Sequence, residues 1–299
     1  MNKKVGIGLI GYGYWGPNFA RILSKIENVD FLAIVDVSEI SRAKALSGFK
    51  VPILDNFQDL LSNKKLDGVV IATPPNTHDD LLEKVLESGK NVLIEKPMSL
   101  DLTRAKKARD IARNRDLVLM PGHTFIFNPA IEAAKNIIDD GQIGNIEYIY
   151  SQRLNLGQVR RDVDVFWNLA PHDISISNYL MTSYPVSINA TSGHITNSKL
   201  ADVGFMSMKY PNGVISHHHL SWLDPTKTRK VTIIGSKGML IIDDVSPDFK
   251  LQIHKKFIDK KFLNSANSNS FQSSIRSGDI IILTWNLFNL KYQISLIPF

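Results

Sequence analysis

Cysteine is absent from the 299 residues, so no disulfide framework, thiolate metal site or cysteine nucleophile is available. Any chemistry falls to other side chains or to a cofactor. Long blocks of one charge are absent too. Lys and Arg number 35 against 29 Asp and Glu, a net +6 spread along the chain, which gives no reason to expect nucleic acid as a partner. An uninterrupted apolar run long enough to span a bilayer is also missing. Met1 to Gly16 places Lys3 and Lys4 before apolar residues, as a secretion signal does, but five glycines interrupt it and no small-residue cleavage site follows. Ile280 to Phe299 is apolar, yet Asn286, Asn289, Lys291 and Gln293 break it where a span needs ~20 mostly apolar residues. These absences leave the expectation of a folded cytoplasmic protein with no membrane partner. Its length suits two domains at ~100 to 200 residues each.

What is present is a change of pattern near residue 122. Before it, short β-rich runs at Val5 to Ile10, Phe31 to Val35, Gly68 to Ala72, Asn91 to Ile94 and Leu117 to Met120 alternate with amphipathic stretches. The stretches are Pro17 to Ile26, Ser38 to Ser47, Asp79 to Ser88 and Leu102 to Asn114, with apolar residues three and four apart, as in Leu81, Leu82, Val85 and Leu86. Strict alternation predicts a parallel sheet covered on both faces, the doubly wound arrangement. After Pro121, helices are expected at Pro129 to Asp139 and around His172 to Leu180. Strand patterns follow at Ile146 to Leu154, Val186 to His194, Val203 to Tyr210, Gly213 to Ser221, Lys230 to Ile234 and Met239 to Asp243. The turns Pro211-Asn212-Gly213 and Ser236-Lys237-Gly238 sit at hairpin spacing. The expected architecture is α/β: a doubly wound, Rossmann-type domain over residues 1–122, then an α+β domain with a largely antiparallel sheet over 123–299. The active site is expected in the cleft between the halves. The polar patch Asn264 to Ser274 reads as a loop.

The first strand runs into Gly11-Tyr12-Gly13-Tyr14-Trp15-Gly16, a G-x-G-x-x-G run with the strand before it and the helical pattern after it that the motif requires. Gly11 and Gly13 let the backbone turn tightly and approach a pyrophosphate, which the helix N-terminus at Tyr14, Trp15 and Gly16 stabilises through free N–H groups and its positive dipole end. Asp36 ends the second strand 20 residues beyond Gly16, placed to accept hydrogen bonds from a ribose diol. A carboxylate there repels a 2′-phosphate, so NAD is favoured over NADP, with Arg42 near enough to meet a phosphate or adenine. The plainer alternative is a tight turn beside a surface Asp. The third strand ends in Ala72-Thr73-Pro74-Pro75-Asn76-Thr77-His78, a proline turn whose Thr73, Pro74, Asn76 and His78 are candidate nucleotide contacts and whose Thr77 suits a helix N-cap. The fourth ends in Glu95-Lys96-Pro97, which holds a lysine at the crevice.

With these motifs, Glu95-Lys96-Pro97 makes the chain resemble the glucose-fructose oxidoreductase, inositol dehydrogenase and MocA family. The resemblance runs from residue 3 to about 278 and includes Asn168-Leu169-Ala170-Pro171-His172-Asp173. It implies that Lys96 is a catalytic acid/base and that a cis bond precedes Pro97; Glu95 and Lys96 are also candidate cofactor contacts. Oxidising a secondary alcohol needs a hydride acceptor and a base. A lysine desolvated beside nicotinamide yields its proton more readily, and His172 titrates near neutrality and relays the same proton. The position four before the histidine is often aspartate in the family, whereas here it is Asn168, which shares a helical face with His172 but cannot act as a base. It is assigned to substrate binding.

Gly122-His123-Thr124-Phe125, Arg153-Leu154-Asn155-Leu156-Gly157, Asp164-Val165-Phe166-Trp167 and Ser221 to Lys227 are similar to members that oxidise nucleotide-linked sugars, UDP-sugar 3-dehydrogenases in particular. On that resemblance Lys96, Arg153, Asn155, Asn168 and His172 meet the substrate. Arg153, Arg160 and Arg161 either offset its diphosphate or are simply solvated. It also implies a homo-oligomer. Two other activities stay open: an NAD-dependent, redox-neutral glycosidase, and a non-catalytic NAD-binding relative. His217-His218-His219 is not expected to bind metal, because only His217 and His219 share a strand face and no carboxylate pattern completes a site. Lys255, Lys256, Lys260 and Lys261 around Phe257 and Phe262 read as a solvated hairpin. Family members continue past Gly278 into a long amphipathic helix. Ile280 to Phe299 lacks that pattern and is expected to be an atypical tail, from a frameshift or truncation, that leaves apolar surface exposed.

Overall fold

A computed structural model describes residues 3–157, 160–196, 199–260, 275–285 and 292–297. The chain divides into two compact units, Met1–His123 and Thr124–Phe299. In the first, strands β1 (Val5–Ile10), β2 (Val29–Val35), β3 (Ile53–Leu54), β4 (Gly68–Ile71), β5 (Asn91–Ile94) and β6 (Leu119–Pro121) form one sheet in the order β3-β2-β1-β4-β5-β6. All five pairings are parallel. The helices between them are α1 (Gly16–Leu23), α2 (Glu39–Gly48), α3 (Phe57–Leu61), α4 (His78–Glu87) and α5 (Leu102–Asn114). Every residue of β4 is buried, as a central strand covered on both faces must be. The apolar residues sort into two clusters, one with Leu82, Val85 and Leu86 of α4 and the other with Ala20 and Leu23 of α1.

Four crossover helices fall where the 3.6-residue pattern places them. The β3 and α3 pair was not read from the sequence, because two residues of strand and five of helix are too short to show a period. Asn56 caps α3 by accepting from the Gln58 N–H at 3.0 Å.

The second unit contains α6 (Pro129–Asp139), β7 (Ile146–Leu156), α7 (Val165–Met181), β8 (Ser187–Gly193), β9 (Val203–Lys209), β10 (Ile215–Ser221), β11 (Leu223–Gly235), β12 (Gly238–Asp243), β13 (Leu251–His254), β14 (Phe257–Ile258), β15 (Ile275–Arg276), β16 (Ile280–Trp285) and β17 (Tyr292–Ile297). Nine of the strands form a sheet ordered β17-β16-β13-β12-β11-β7-β10-β9-β8, antiparallel except where β7 meets β10. The apolar sides of α6 and α7 pack on one face of it, Ala134 and Ile176 against Ile149, Ile233 and Leu240.

Two expectations change here. The helix expected around His172 begins seven residues earlier, at Val165. Asp164 caps it by accepting from the Trp167 N–H at 2.9 Å, and Pro171, which suits a first turn, lies inside. The atypical segment at 280–299 contributes β16 and β17, which extend the sheet edge through β13, with Ile282 and Leu283 buried. The loop expected at Asn264 to Ser274 lies outside the described residues.

The three histidines on β10 alternate as a strand dictates. His217 and His219 lie against Phe205, with centroids at 6.3 and 4.4 Å, while His218 points inward and is fully buried. Its ring nitrogens meet Ser151 Oγ at 2.7 Å and Ser216 Oγ at 2.9 Å. Burial lowers its pKa to about 4, against the opposing pull of the Asp173 charge. The unfolded chain takes up this proton near pH 6.5, the folded chain only near 4. Stability from this site is therefore intact above about pH 6.5 and lost as the pH falls to 4, on the order of 3 kcal/mol in total. His218→Asn should lower stability at pH 7 yet flatten its decline between pH 6.5 and 4 in urea titrations. An equally steep decline in the variant would contradict this origin.

Candidate functional site

In an open parallel sheet ligands bind beyond the carboxyl ends of the strands, where the order reverses. Here that point lies between β1 and β4. The turn leaving β1 is built by close backbone contact. Gly11 has φ +99°, and a Cβ on it would stand 2.7 Å from the Ala72 backbone; one on Gly16 would stand 2.3 Å from the Gly11 carbonyl oxygen. Gly13 differs, because a Cβ there would meet nothing within 4 Å. Its exposed Cα thus borders open space, through which a pyrophosphate can reach the backbone. No side chain caps α1, whose first turn carries Pro17, so its dipole end is left for an anion. Tyr14 and Trp15 are exposed beside it, edge to face at 5.9 Å.

Asp36 stands at the end of β2. Its carboxylate accepts from the Tyr12 N–H at 2.7 Å and the Ser38 N–H at 2.8 Å, fixing its orientation while lone pairs remain for a diol. These residues fit a dinucleotide with an unphosphorylated ribose. Arg42, expected near a phosphate or adenine, spends Nη1 on the carbonyls of Asp36 and Val37, at 3.0 and 2.9 Å, and so braces the turn from within the protein.

Beyond β4, Pro74 and Asn76 are exposed and Thr73 is half-buried. Thr77 occupies the N-cap position of α4, but its hydroxyl donates to the Pro74 carbonyl at 2.8 Å and lies 2.7 Å from Thr73 Oγ1, whose hydroxyl can donate to it; it does not cap. His78 is not presented to a ligand. It is fully buried, with Nδ1 2.8 Å from the Pro97 carbonyl oxygen and Nε2 2.8 Å from that of Thr73. Expected to touch the cofactor, it instead joins two loops. The Lys96–Pro97 bond is cis. Lys96 and Glu95 are half-buried at the end of β5, and the Lys96 N–H donates to Glu95 Oε2 at 3.3 Å. Burial raises the Glu95 pKa against the Lys96 charge, while burial and that same charge lower the pKa of His123. Sequence reasoning assigned His123 no role, since nothing in its spacing points toward Lys96.

In the second unit His172 packs edge to face on Phe125 with centroids 4.8 Å apart. The Arg153 guanidinium lies 4.5 Å from the same ring and Arg229 5.9 Å from it. Arg153, on β7, is buried, and its Nε donates to Asp173 Oδ2 at 2.6 Å. A buried arginine already facing a carboxylate is a poor counter-charge for a substrate diphosphate. Arg160 is likewise held by Asp162, at 2.8 and 2.5 Å, whereas Arg161 is exposed. Asn168 Oδ1 accepts from the Trp222 indole at 3.2 Å, and Asn155 is exposed near the end of β7. A hollow of about 230 Å³ opens at Thr124, Phe125 and Asn128. No signal in the sequence marked Phe125 as the ring shared by His172 and two arginines. Among the described residues no cluster of histidine and carboxylates holds a metal-binding arrangement, and no helix is long and apolar enough to cross a membrane.

This is the layout of a dinucleotide-dependent enzyme with a lysine at the nucleotide crevice. Residues 5–123 match the model of an oxidoreductase family with an NAD-binding Rossmann fold, and residues 131–241 match the GFO/IDH/MocA C-terminal domain. The chain belongs to that family, and its N-terminal unit is an NAD-binding domain. It is 28% identical over 205 residues to inositol 2-dehydrogenase of Rhizobium meliloti (strain 1021), covering 67% of this chain and 62% of the relative. The match thus spans less than two thirds of that relative's length. Identity to UDP-N-acetylglucosamine 3-dehydrogenase of Acidithiobacillus ferrooxidans is 28% over 237 residues, 79% of this chain and 73% of the other. Among solved structures, WlbA dehydrogenase from Bordetella pertussis in complex with NADH and UDP-GlcNAcA has a TM-score of 0.76. It is 20% identical and covers 83% of this chain and 76% of its own, a likeness of fold.

Two outcomes follow from the geometry. Gly13→Val should leave stability within about 0.5 kcal/mol but weaken NADH binding by more than about 30-fold, while Gly11→Val should cost roughly 1–3 kcal/mol or more in backbone strain. Fluorescence titration and thermal melts read both; tight NADH binding by Gly13→Val would remove the pyrophosphate assignment. Arg153→Met should cost about 3–5 kcal/mol by stranding the Asp173 carboxylate, and adding Asp173→Leu should restore much of it. A double variant as unstable as the single one would show that the charge is not what matters.

Proposed function

We propose that this protein interconverts a ring hydroxyl and a ketone on a sugar carried by a nucleotide, using NAD. The observation that carries the reading is the arrangement of three adjacent strands. The glycine turn after β1 and Lys96 after β5 flank β4 at the same edge of one parallel sheet. These are the groups that would meet a dinucleotide on that edge. NAD, when bound, supplies the hydride acceptor. Gly11, Gly13 and the N-terminus of α1 would hold its pyrophosphate and Asp36 its adenosine ribose, with Thr73, Pro74 and Asn76 as further contacts. Lys96 takes the hydroxyl proton on oxidation and returns it on reduction, and His172 shares that proton work.

Asn168 binds the substrate through its amide and takes no proton. Asn155 and the exposed Arg161 are assigned to the nucleotide portion, because Arg153 and Arg160 already face carboxylates. The sequence likeness to a UDP-N-acetylglucosamine 3-dehydrogenase supports a nucleotide-linked sugar, and that to an inositol dehydrogenase supports the same chemistry on a ring carbinol.

The test is NADH formation at 340 nm with UDP-N-acetylglucosamine, UDP-glucose, myo-inositol and scyllo-inositol. A UDP-sugar should be turned over best; preference for a free inositol would overturn the nucleotide part. Sugar cleavage without net NADH would point to a redox-neutral glycosidase. Lys96→Met should reduce turnover by about 10²–10⁴-fold while NADH affinity stays within about 3-fold. Retained turnover would remove the acid/base role of Lys96.

A further inference from the structure

His78 lies outside the proposed chemistry, yet it is the buried imidazole nearest in sequence to the nucleotide loops, and its surroundings are unusual. It begins α4, so its backbone belongs to the helix while its side chain is wholly enclosed. Both ring nitrogens lie 2.8 Å from backbone carbonyl oxygens, those of Thr73 and Pro97. These carbonyls stand past the ends of β4 and β5, beyond the last ladder residues Ile71 and Ile94. The last sheet bond between the two strands runs from the Glu95 N–H to the Ile71 carbonyl at 2.9 Å, and beyond it one ring bridges the two turns. Carbonyls only accept, and a neutral imidazole has one N–H, so full satisfaction of both asks for two donors on the ring. Leucine or phenylalanine would fill the space but leave the buried Pro97 carbonyl and the part-buried Thr73 carbonyl facing apolar atoms.

We infer that His78 is a positioning residue for Lys96: its imidazole links the turn after β4 to the turn after β5 and so sets where the backbone of Lys96 stands. This rests on the proposed role of Lys96. The Thr73–Pro74 turn lines the cofactor path and the Lys96–Pro97 turn presents the proton-handling group. A single rigid ring spanning them keeps the two in register, as geometry within a fraction of an ångström requires for chemistry. The charged neighbours that sense a displacement of Lys96 are Glu95, on the same strand end, and His123, beyond β6. Burial lowers the pKa of the imidazole itself, and the Pro97 and Thr73 carbonyls and the adjacent Asp79 charge oppose that.

The test uses the full chain, and its first readout needs no substrate. Lysine Cε resonances are titrated by ¹³C NMR, with Lys96 assigned by its loss in Lys96→Met. In His78→Phe the Lys96 titration should move by about 0.5 pH unit or more, with the other lysines unmoved. His78→Gln, which keeps a donor, should move it less. On the substrate identified by the panel, His78→Phe should lower kcat by about 10-fold or more with KM within about 3-fold. If His78→Phe does not fold, His78→Gln carries the test, with a smaller displacement in the same direction. A folded variant whose Lys96 titrates as in the parent overturns the inference, as does loss of kcat and NADH binding in equal measure with Lys96 unmoved. Turnover surviving Lys96→Met would sink the acid/base reading but leave the His78 linkage standing on its titration.

Discussion

The constraint on which the N-terminal unit depends is the approach of backbone to backbone at Gly11. With φ +99° and the Ala72 backbone where a Cβ would go, the chain leaving β1 has room for no side chain. That one contact brings the end of β4 against the turn, and the Gly11 carbonyl in turn excludes a side chain at Gly16, where α1 begins. The Gly11 N–H donates to the Val35 carbonyl at 2.8 Å, and Asp36 reaches back to the Tyr12 N–H. Thus β1, β2, β4 and α1 are all referred to a few atoms. Close packing and ligand access are divided between neighbouring glycines: Gly11 and Gly16 are needed because protein is too near, and Gly13 because nothing is.

Much of this was legible in the sequence because it is local. The glycine spacing, the Asp 20 residues on, and the alternation of short β-rich runs with amphipathic stretches each fit in a window of a few dozen residues. What could not be read is side-chain pairing that no motif announces, whether the partners are near or far in the chain. Ser151 and His218 are 67 positions distant, and Arg153 and Asp173 are 20 apart on different element types. His78 shows the limit well. As the first residue of a helix after a proline turn, its spacing suits a crevice contact equally well. Only the fold reveals that its ring turns inward, to a carbonyl 19 residues away. Arg153 was legible as a charge but not as a buried one, because the partner that neutralises it lies on α7.

The second unit carries an unusual amount of polarity beneath α7. Asp173 and Ser177 on the helix, Ser151 and Arg153 on β7, and Ser216 and His218 on β10 are all buried. Such groups are costly to enclose and gain little over apolar packing, so their contribution lies less in stability than in defining a single arrangement. Apolar residues tolerate a shifted helix; a carboxylate held at 2.6 Å by a guanidinium does not. Asp173 adjoins His172 in the chain, and the Arg153 that binds Asp173 also lies against Phe125, on whose ring His172 packs. The imidazole is therefore located twice by the same arginine, once along the helix and once through the aromatic ring.

The two units use histidine in opposite ways, and burial explains the difference. His218 sits between hydroxyls that can each donate or accept, so a neutral ring is satisfied in either tautomer and burial drives its pKa down to about 4 without leaving a bond unmade. His78 sits between carbonyls that only accept, so the burial that disfavours charge conflicts with a geometry that asks for two donors. The first arrangement is relaxed and belongs to a core. The second links two loops just past the last sheet bond, from the Glu95 N–H to the Ile71 carbonyl. A polar ring in such surroundings contributes more to position than to stability. In this chain that place is the turn bearing Lys96, at the edge where the sheet ends and the ligand crevice begins.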